Sequence, residues 1–231
     1  MTGESPRVSV VIPALDEEAS LPLVLDAIPR ELVHEIVVCD NGSADGTARV
    51  AREHGARVVV EPRRGYGSAC LAAIAALDAP DIVAFLDADF SDRPEELRDV
   101  LAPIHEDRAD LVIGSRMTGD REPGALLPQA LFGNWLATFL IRLFWGARFT
   151  DLGPFRAITA DALDRLEMAD RDYGWTVEMQ VKAARHGLRC TEVPVSYRRR
   201  VGRSKITGTI RGTVLASRKI LGTIFRAAMT R

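Results

Sequence analysis

Two aspartates separated by one residue follow a short apolar stretch of this chain. Residues 82–86 are five consecutive apolar residues, and Asp87 and Asp89 come directly after them. Such a run, preceded by Pro80 and followed by acids, is typical of a strand buried on both faces. Because residues i and i+2 of an extended segment point the same way, both carboxylates should project together. Two hard oxygen ligands predict a Mg²⁺ or Mn²⁺ site for a diphosphate, with a solvated turn as the alternative.

Acidic residues follow two more predicted strands. Asp16 and Glu17 come after the strand predicted at residues 7–13, and Asp40 follows the strand predicted at residues 35–39. Ligands of an open parallel sheet bind beyond the carboxyl ends of its strands. We therefore expect these acids to share one site with the aspartate pair.

Turns that contain glycine follow the second and third predicted strands. Asp40 would accept a hydrogen bond from a base N–H, and Gly42 would let the backbone approach a nucleotide closely. An Asx turn is the alternative for Asp40. Arg64 and Gly65 would contact phosphate or base, or form a solvated turn. The chain has no G-x-x-x-x-G-K-[ST] loop, and no G-x-G-x-x-G follows its first strand, which argues against a dinucleotide-binding dehydrogenase.

Strand and helix patterns alternate at short spacing in the first half, which predicts an α/β fold with a mostly parallel sheet flanked by helices. The second half is less regular, but no repeat or linker interrupts it, so the sequence predicts one domain. The predicted strands span residues 7–13, 35–39, 57–61, 82–86, 111–114 and 190–197. The predicted helices span residues 19–28, 47–54, 69–77, 94–104, 126–145, 174–186 and 207–229.

Composition narrows the class of protein. A formal net charge of −2 argues against general nucleic-acid binding, although no acid follows Glu192 while ten Lys or Arg residues do. Such a basic end suits anionic phosphate or a membrane surface. The three cysteines, Cys39, Cys70 and Cys190, have no metal-binding spacing and predict reduced thiols in a cytoplasmic protein. Neither a signal peptide nor an apolar run of about 20 residues is visible.

The order of these motifs resembles the family-two glycosyltransferases of GT-A fold, and within them the dolichyl- and polyprenyl-phosphate sugar transferases. The resemblance runs from about Val8 to Gly208 and continues in the second half. The segments that carry it are 10–18 (VVIPALDEE), 40–47 (DNGSADGT), 64–69 (RGYGSA), 87–89 (DAD), 114–116 (GSR), 155–156 (FR), 192–197 (EVPVSY) and 200–205 (RVGRSK).

The resemblance implies a nucleotide-sugar donor, a divalent metal and an inverting transfer. It also implies roles for individual residues. Pro13, Leu15, Glu17 and Asp40 would hold the base and ribose. Asp87 and Asp89 would bind the metal and the diphosphate, Asp89 most directly. Arg116, Arg200 and Lys205 match family positions that handle donor or acceptor phosphate. Arg199 is the alternative to Arg200 for its position.

The chemistry of the acceptor decides whether a base is needed. An alcohol acceptor would require a general base, for which Asp151 or Glu178 could serve. A phosphate acceptor would not, since a monoester with a second pKa of about 6 is already mostly dianionic at neutral pH. It would instead need cations to place it, and residues 198–205 supply them. The sequence therefore favours a polyprenyl-phosphate acceptor over a small hydroxyl acceptor or a non-catalytic sugar-nucleotide-binding subunit.

The end of the chain alternates apolar and basic residues at helical spacing. This pattern predicts a basic amphipathic helix that would cover the sheet, contact the inner face of a membrane or form a homodimer. We divide the single domain, residues 1–231, into a nucleotide-sugar-binding half at 1–115, an acceptor half at 116–205 and the amphipathic helix at 206–231.

Overall fold

The computed structural model describes residues 6–202 and 210–229. Their strands form one seven-stranded sheet in the order β3-β2-β1-β4-β6-β5-β7. All neighbouring strands are parallel except β6, which is antiparallel to both β4 and β5. The mostly parallel sheet is thus confirmed. The strands are β1 (Val8–Ala14), β2 (Glu35–Asp40), β3 (Arg57–Val60), β4 (Ile82–Phe85), β5 (Leu111–Ser115), β6 (Arg156–Thr159) and β7 (Cys190–Pro194).

Helices cover both faces of the sheet. One apolar core lies between the sheet and α1, α2 and α4, and a second lies between the sheet and α3 and α5 to α8. The helices are α1 (Leu21–Ala27), α2 (Thr47–Glu53), α3 (Tyr66–Ile74), α4 (Leu97–His105), α5 (Pro128–Trp145), α6 (Ala160–Leu166), α7 (Trp175–Arg185) and α8 (Ile210–Met229).

Strand β1 explains why the central strands are apolar without alternation. Val10 and Ile12 point into the first core, whereas Val11 points into the second. All three side chains are fully buried. Since complete burial of such a side chain stabilises the fold by about 1.5–3 kcal/mol, both faces of a central strand must be apolar.

Several boundaries differ from the sequence prediction. A 3₁₀ turn at Pro94–Glu96 precedes α4, and β7 ends at Pro194 because residues 195–197 leave the sheet. Neither the antiparallel direction of β6 nor helix α6 was predicted. In α8, Ile224 is buried against the second core while Phe225 is exposed. No helix in the described ranges, 6–202 and 210–229, is long and apolar enough to cross a bilayer.

Candidate active site

The acidic turns of the central strands lie at one edge of the sheet. In the parallel pairing, Ala14 at the end of β1 faces Asp40 at the end of β2, and Val11 faces Phe85 at the end of β4. Because these strands run in the same direction, the turns that follow them meet, as the sequence predicted.

A cavity of about 260 Å³ opens at this edge. Most of the residues predicted to bind donor or metal line it. These are Pro13, Leu15, Glu17, Arg64, Gly65, Asp87, Asp89 and Arg200. Six lining residues had no role assigned from the sequence, and they are Ala14, Asn41, Tyr66, Ala69, Ala88 and Tyr173.

Asp87 has a hydrogen-bonded and desolvated carboxylate. The hydroxyl of Tyr66, at the start of α3, donates to Asp87 Oδ1 at 2.9 Å. Burial raises the pKa of Asp87 to about 7, and the negative charge of Asp89 acts in the same direction. Burial and the charge of Asp87 likewise raise the pKa of Tyr66, so the phenol stays a donor. A cation in the cavity would relieve the repulsion between the two carboxylates.

One carboxylate oxygen of Asp89 accepts hydrogen bonds, and the other forms an ion pair. Its Oδ1 accepts hydrogen bonds from the backbone N–H and the hydroxyl of Ser91. Its Oδ2 lies 3.2 Å from Arg200 Nη1, and Arg200 Nη2 donates to Glu17 Oε1 at 2.7 Å. Arg200 therefore joins two acids that come from different strand ends.

The segment after β7 holds the turn that carries Asp89. The backbone N–H of Val201 donates to the Asp89 carbonyl at 3.0 Å, and that of Arg198 donates to the Ser91 carbonyl at 2.9 Å. Phe90 has a φ of 61°, in the left-handed region. The Arg198 guanidinium lies 3.3 Å from the Phe90 ring centre and donates to the Phe90 carbonyl at 2.7 Å. These contacts stabilise a backbone conformation that is unfavourable for phenylalanine.

Asp92 is a buried acid that the sequence analysis did not single out. It is 1% exposed, and neither carboxylate oxygen has a hydrogen-bond partner in the part of the chain that the structure describes. Burial, and then the charges of Asp87 and Asp89, raise the pKa of Asp92. The sequence signal that could have found it is a third acid three residues after Asp89.

Asn41, rather than Asp40, faces the cavity. Asp40 Oδ1 accepts the backbone N–H of Ser43 at 3.0 Å and does not line the cavity, so the Asx-turn alternative describes it better than contact with a base. Asn41 Oδ1 accepts the N–H of Gly65, and its amide donates to two carbonyls of residues 61–63. The side-chain amide thereby ties the second and third turns together.

Gly42 and Gly65 serve the packing of the protein itself. Gly42 has a φ of 80°, and its carbonyl accepts a hydrogen bond from Arg64 Nη2 at 2.7 Å. Gly42 does not line the cavity, and its approach to a nucleotide stays a prediction. Gly65 has a φ of 142°, and a Cβ there would collide with the carbonyl oxygen of Arg171. Gly67 meets the carbonyl of Asp170 in the same way.

Arg116 forms a buried ion pair outside the cavity. Its Nε and Nη2 each lie 2.7 Å from an oxygen of Asp151, whose side chain is fully buried. Burial opposes ionisation of both groups, but their pairing outweighs it, so the pKa of Arg116 is raised and that of Asp151 is lowered. Asp151 is therefore unsuited to the role of general base. Arg116 holds the loop after β5 instead of lining the cavity with Asp89.

Glu178 is also not brought to the cavity, contrary to the expectation that it acts as a base. Its carboxylate accepts the backbone N–H groups of Ala169 and Asp170 and pairs with Lys182 at 2.9 Å. Helix spacing is consistent with the Lys182 pair, but it could not reveal the backbone N–H partners, because these lie on the loop that precedes the helix. Lys205 lies outside the described residues.

The alternative counterpart Arg199 points elsewhere. Its guanidinium donates to the carbonyl of Pro123, and its backbone N–H donates to Glu122. Arg200 is thus the arginine of this pair that reaches the acids.

Comparison with known proteins identifies the family. The sequence model described as glycosyl transferase family 2 matches residues 9–166. The chain belongs to this family. An uncharacterized glycosyltransferase of Mycobacterium tuberculosis (strain ATCC 25618 / H37Rv) is 42% identical to it over 220 residues, covering 94% of this chain and 96% of the relative. An undecaprenyl-phosphate mannosyltransferase of Micrococcus luteus is 32% identical over 232 residues, covering 91% and 92%.

Solved structures of other glycosyltransferases share the fold. The crystal structure of glucosyl-3-phosphoglycerate synthase from Mycobacterium tuberculosis, in complex with Mn²⁺, UDP-glucose and phosphoglyceric acid, superposes with a TM-score of 0.78 at 27% identity. The match covers 97% of this chain and 80% of that one. This family 2 glycosyltransferase therefore has the GT-A fold that the sequence predicted.

The cavity of this glycosyltransferase suits a divalent ion. Asp87 and Asp89 both line it, and their mutual repulsion is one cause of the raised pKa of Asp87. Carboxylate oxygens are the ligands that Mg²⁺ and Mn²⁺ prefer. Within the described residues, no cluster of three or more His, Cys, Asp or Glu side chains is placed to hold a metal. The two aspartates leave room for ligands from a diphosphate and water.

Proposed function

We propose that this glycosyltransferase moves a hexose, with inversion, from a nucleotide-diphosphate sugar of the UDP-glucose or GDP-mannose type to a polyprenyl phosphate. The observation that carries the proposal is one cavity lined by Asp87, Asp89, Arg64 and Arg200, which combines two metal-binding acids with two phosphate-binding cations. The undecaprenyl-phosphate mannosyltransferase relative supports the acceptor class.

In this proposal each group at the cavity has a defined task. Pro13, Leu15 and Asn41 contact the nucleoside, and Arg64 and Arg200 bind the phosphates. Mg²⁺ or Mn²⁺ held by Asp87 and Asp89 would supply charge neutralisation to the departing diphosphate. Tyr66 keeps Asp87 oriented through its hydrogen bond. Arg116 and Lys205 remain candidates for contact with the acceptor phosphate, Arg116 only if its pairing with Asp151 rearranges.

The acceptor assignment gains support from the surroundings of the two candidate bases. The carboxylates of Asp151 and Glu178 are both engaged with protein groups and do not line the cavity. A dianionic phosphate needs no base, because its oxygen attacks the anomeric carbon without losing a proton. The new bond joins that oxygen to the sugar, and the bond from the sugar to the nucleoside diphosphate breaks. No proton has to move in this transfer.

Donor and acceptor can be tested in one series of assays. The purified chain with Mn²⁺ is incubated with radiolabelled UDP-glucose or GDP-mannose and a short polyprenyl phosphate in detergent. We expect the wild type to transfer label into the organic phase from one of the two donors. The Asp89→Asn variant should transfer none. A thermal shift by the same donor would report its binding independently. Transfer to sugars or proteins but never to a polyprenyl phosphate would contradict the proposed acceptor.

A small phosphorylated hydroxyl compound is the second candidate acceptor. It is favoured by the similarity to the glucosyl-3-phosphoglycerate synthase whose structure contains phosphoglyceric acid. Water-soluble product formed from phosphoglyceric acid, with no product from polyprenyl phosphate, would select this alternative. It would also require a base that is free of the pairings found for Asp151 and Glu178.

A lipid acceptor places the enzyme at a membrane. We propose a cytoplasmic protein that contacts the inner face of the membrane through its basic end, with self-association into a homodimer as the alternative use of α8. Lys219 of α8 already pairs with Asp170 at 3.0 Å, so part of this basic charge stabilises the protein itself.

A further inference from the structure

Exposed apolar side chains concentrate on two neighbouring helices. Of the nine large hydrophobic side chains that are exposed in the described residues, seven lie on or beside α5 and α8. Scattered exposed apolar residues need no explanation, but a contiguous group of them marks an interaction surface. We call this group the aromatic face, and it comprises Leu127, Phe132, Trp135, Phe139, Leu143, Phe225 and Met229.

The aromatic face is the side of α5 that points away from the core. Phe132, Trp135 and Phe139 are 62%, 58% and 49% exposed, and their spacing of three and four residues puts them on one side of the helix. Successive ring centres lie 5.8 Å apart along this row. The opposite side, which includes Ala137 and Ile141, is fully buried. The exposed row is therefore additional to the apolar surface that folding requires.

Helix α8 extends the same face. Phe144 of α5 contacts Phe225 of α8 with ring centres 5.9 Å apart. Phe225 and Met229 are 47% and 80% exposed. Two helices in contact thus present apolar side chains to the outside over a common surface.

The stretches of chain that form the aromatic face carry positive charges only. No Asp or Glu occurs in residues 123–150 or in residues 193–231. Exposed basic side chains on these two stretches include Arg142, Arg148, Arg218 and Arg226. Exposed aromatic rings with basic side chains beside them match the interface of an anionic bilayer, where rings enter the headgroup region and cations meet lipid phosphates.

We propose that the aromatic face docks this enzyme on an anionic lipid bilayer, with α5 as the main contact. The alternative occupant, a second copy of the chain, is less favoured by charge. A twofold interface would place the same arginines of both copies near one another, with no acid from either helix to pair them.

The docked orientation would serve a lipid acceptor. Asn134 of α5 accepts the N–H of Leu152 and donates to the carbonyl of Thr150, each at 2.8 Å. These residues flank Asp151, the partner of Arg116. The helix on the membrane is thus joined to the loop expected to meet the acceptor. This link to catalysis rests on the proposed function, whereas docking itself does not.

Vesicle flotation of the full chain tests the proposal. We expect the protein to float with vesicles of equal parts phosphatidylglycerol and phosphatidylcholine, and much less with pure phosphatidylcholine. The double variant W135S/F139S should bind at least about tenfold more weakly, because it removes two aromatic rings that would be buried in the headgroup region. R142Q/R148Q should lose about fivefold per charge on the anionic vesicles alone.

Leu23 and Val60 provide the matched control, since they are exposed apolar residues at 43% and 59% on other elements. L23S/V60S should float like the wild type. Flotation of W135S/F139S equal to that of the wild type, or no flotation of the wild type, would overturn the proposal. A third outcome would also overturn the proposal. In it, light scattering shows a wild-type dimer and a W135S/F139S monomer, and the wild type does not bind vesicles.

Two further measurements separate docking from catalysis. Fluorescence of Trp135 should shift to the blue on the anionic vesicles, and the shift should be absent from W135F. Donor-induced thermal shifts of W135S/F139S should equal those of the wild type, because this face is not part of the donor cavity. If the wild type shows no donor-induced thermal shift, the proposed function is refuted. The flotation result would still stand.

Discussion

Arg200 forms ion pairs with two acids at the edge of the sheet, at 2.7 Å from Glu17 and 3.2 Å from Asp89. In the proposed function Asp87 and Asp89 hold a divalent cation, and that cation would compete with Arg200 for the Asp89 carboxylate. Displaced from Asp89, Arg200 would be available to the donor phosphates, which would link the two binding events.

Arg200→Ala should strengthen the binding of Mn²⁺ to the donor-free protein. The expected gain is about three- to tenfold, because the competing pair is largely but not completely buried. The same substitution should weaken donor binding. Isothermal titration with MnCl₂, and then with donor, measures both changes. Arg199→Ala is the matched control, as that side chain binds the Pro123 carbonyl instead. Equal Mn²⁺ affinities in all three proteins would exclude competition.

Asp87 and Asp89 should both be needed for transfer. Asp89→Asn removes a charge while keeping the shape, and we expect activity to fall by about 10²–10³ at saturating donor. Asp87→Asn should have an effect of similar size and abolish the Mn²⁺-dependent part of the donor thermal shift. Asp99→Asn, an exposed carboxylate on α4, is the control. An Asp89→Asn variant with unchanged Mn²⁺ dependence would rule out this metal site.

Gly67→Ala should destabilise the fold by about 2–3 kcal/mol, because its new methyl group would overlap the Asp170 carbonyl. Urea denaturation measures the change in the free energy of unfolding. Gly133→Ala gives the comparison. It lies within α5 with open space around it and should stabilise the protein by up to about 1 kcal/mol. If Gly67→Ala leaves the free energy of unfolding unchanged, residues 169–172 do not pack closely against α3.

Arg198→Ala should impair the turn that carries Asp89 without removing a cavity residue. We expect transfer to fall by about tenfold, mainly through weaker Mn²⁺ binding, since Phe90 then loses its support in the left-handed region. Arg198→Lys should not restore activity, because the flat guanidinium both stacks on the ring and donates to two carbonyls. Full rescue by lysine would show that only the charge is needed.

The position of the cavity at the edge of the sheet could be predicted because parallel strands bring their carboxyl ends together. The apolar run before Asp87 and the acids after β1 and β2 were sufficient for that. The roles of Asp151 and Glu178 could not be predicted, since their partners are chosen by tertiary packing. Arg116 is 35 residues from Asp151, and the groups bound by Glu178 are backbone N–H groups that any sequence carries.

The contacts of the glycines could not be predicted either, because they too depend on tertiary packing. The motif predicted that Gly65 contacts phosphate or base, or forms a solvated turn. It did not predict that a loop about a hundred residues away in sequence leaves no space for a Cβ at Gly65. Asp40 was the opposite case, because its Asx-turn alternative depends on residues 40–43 alone and could be stated from the sequence.

The backbone hydrogen bonds from Arg198 and Val201 to the Asp89 turn limit how the chain can be shortened. A truncation that removes these residues would loosen the acidic turn as well as the basic end, so lost activity could not be assigned to lost membrane contact. Point substitutions on α5 avoid this ambiguity.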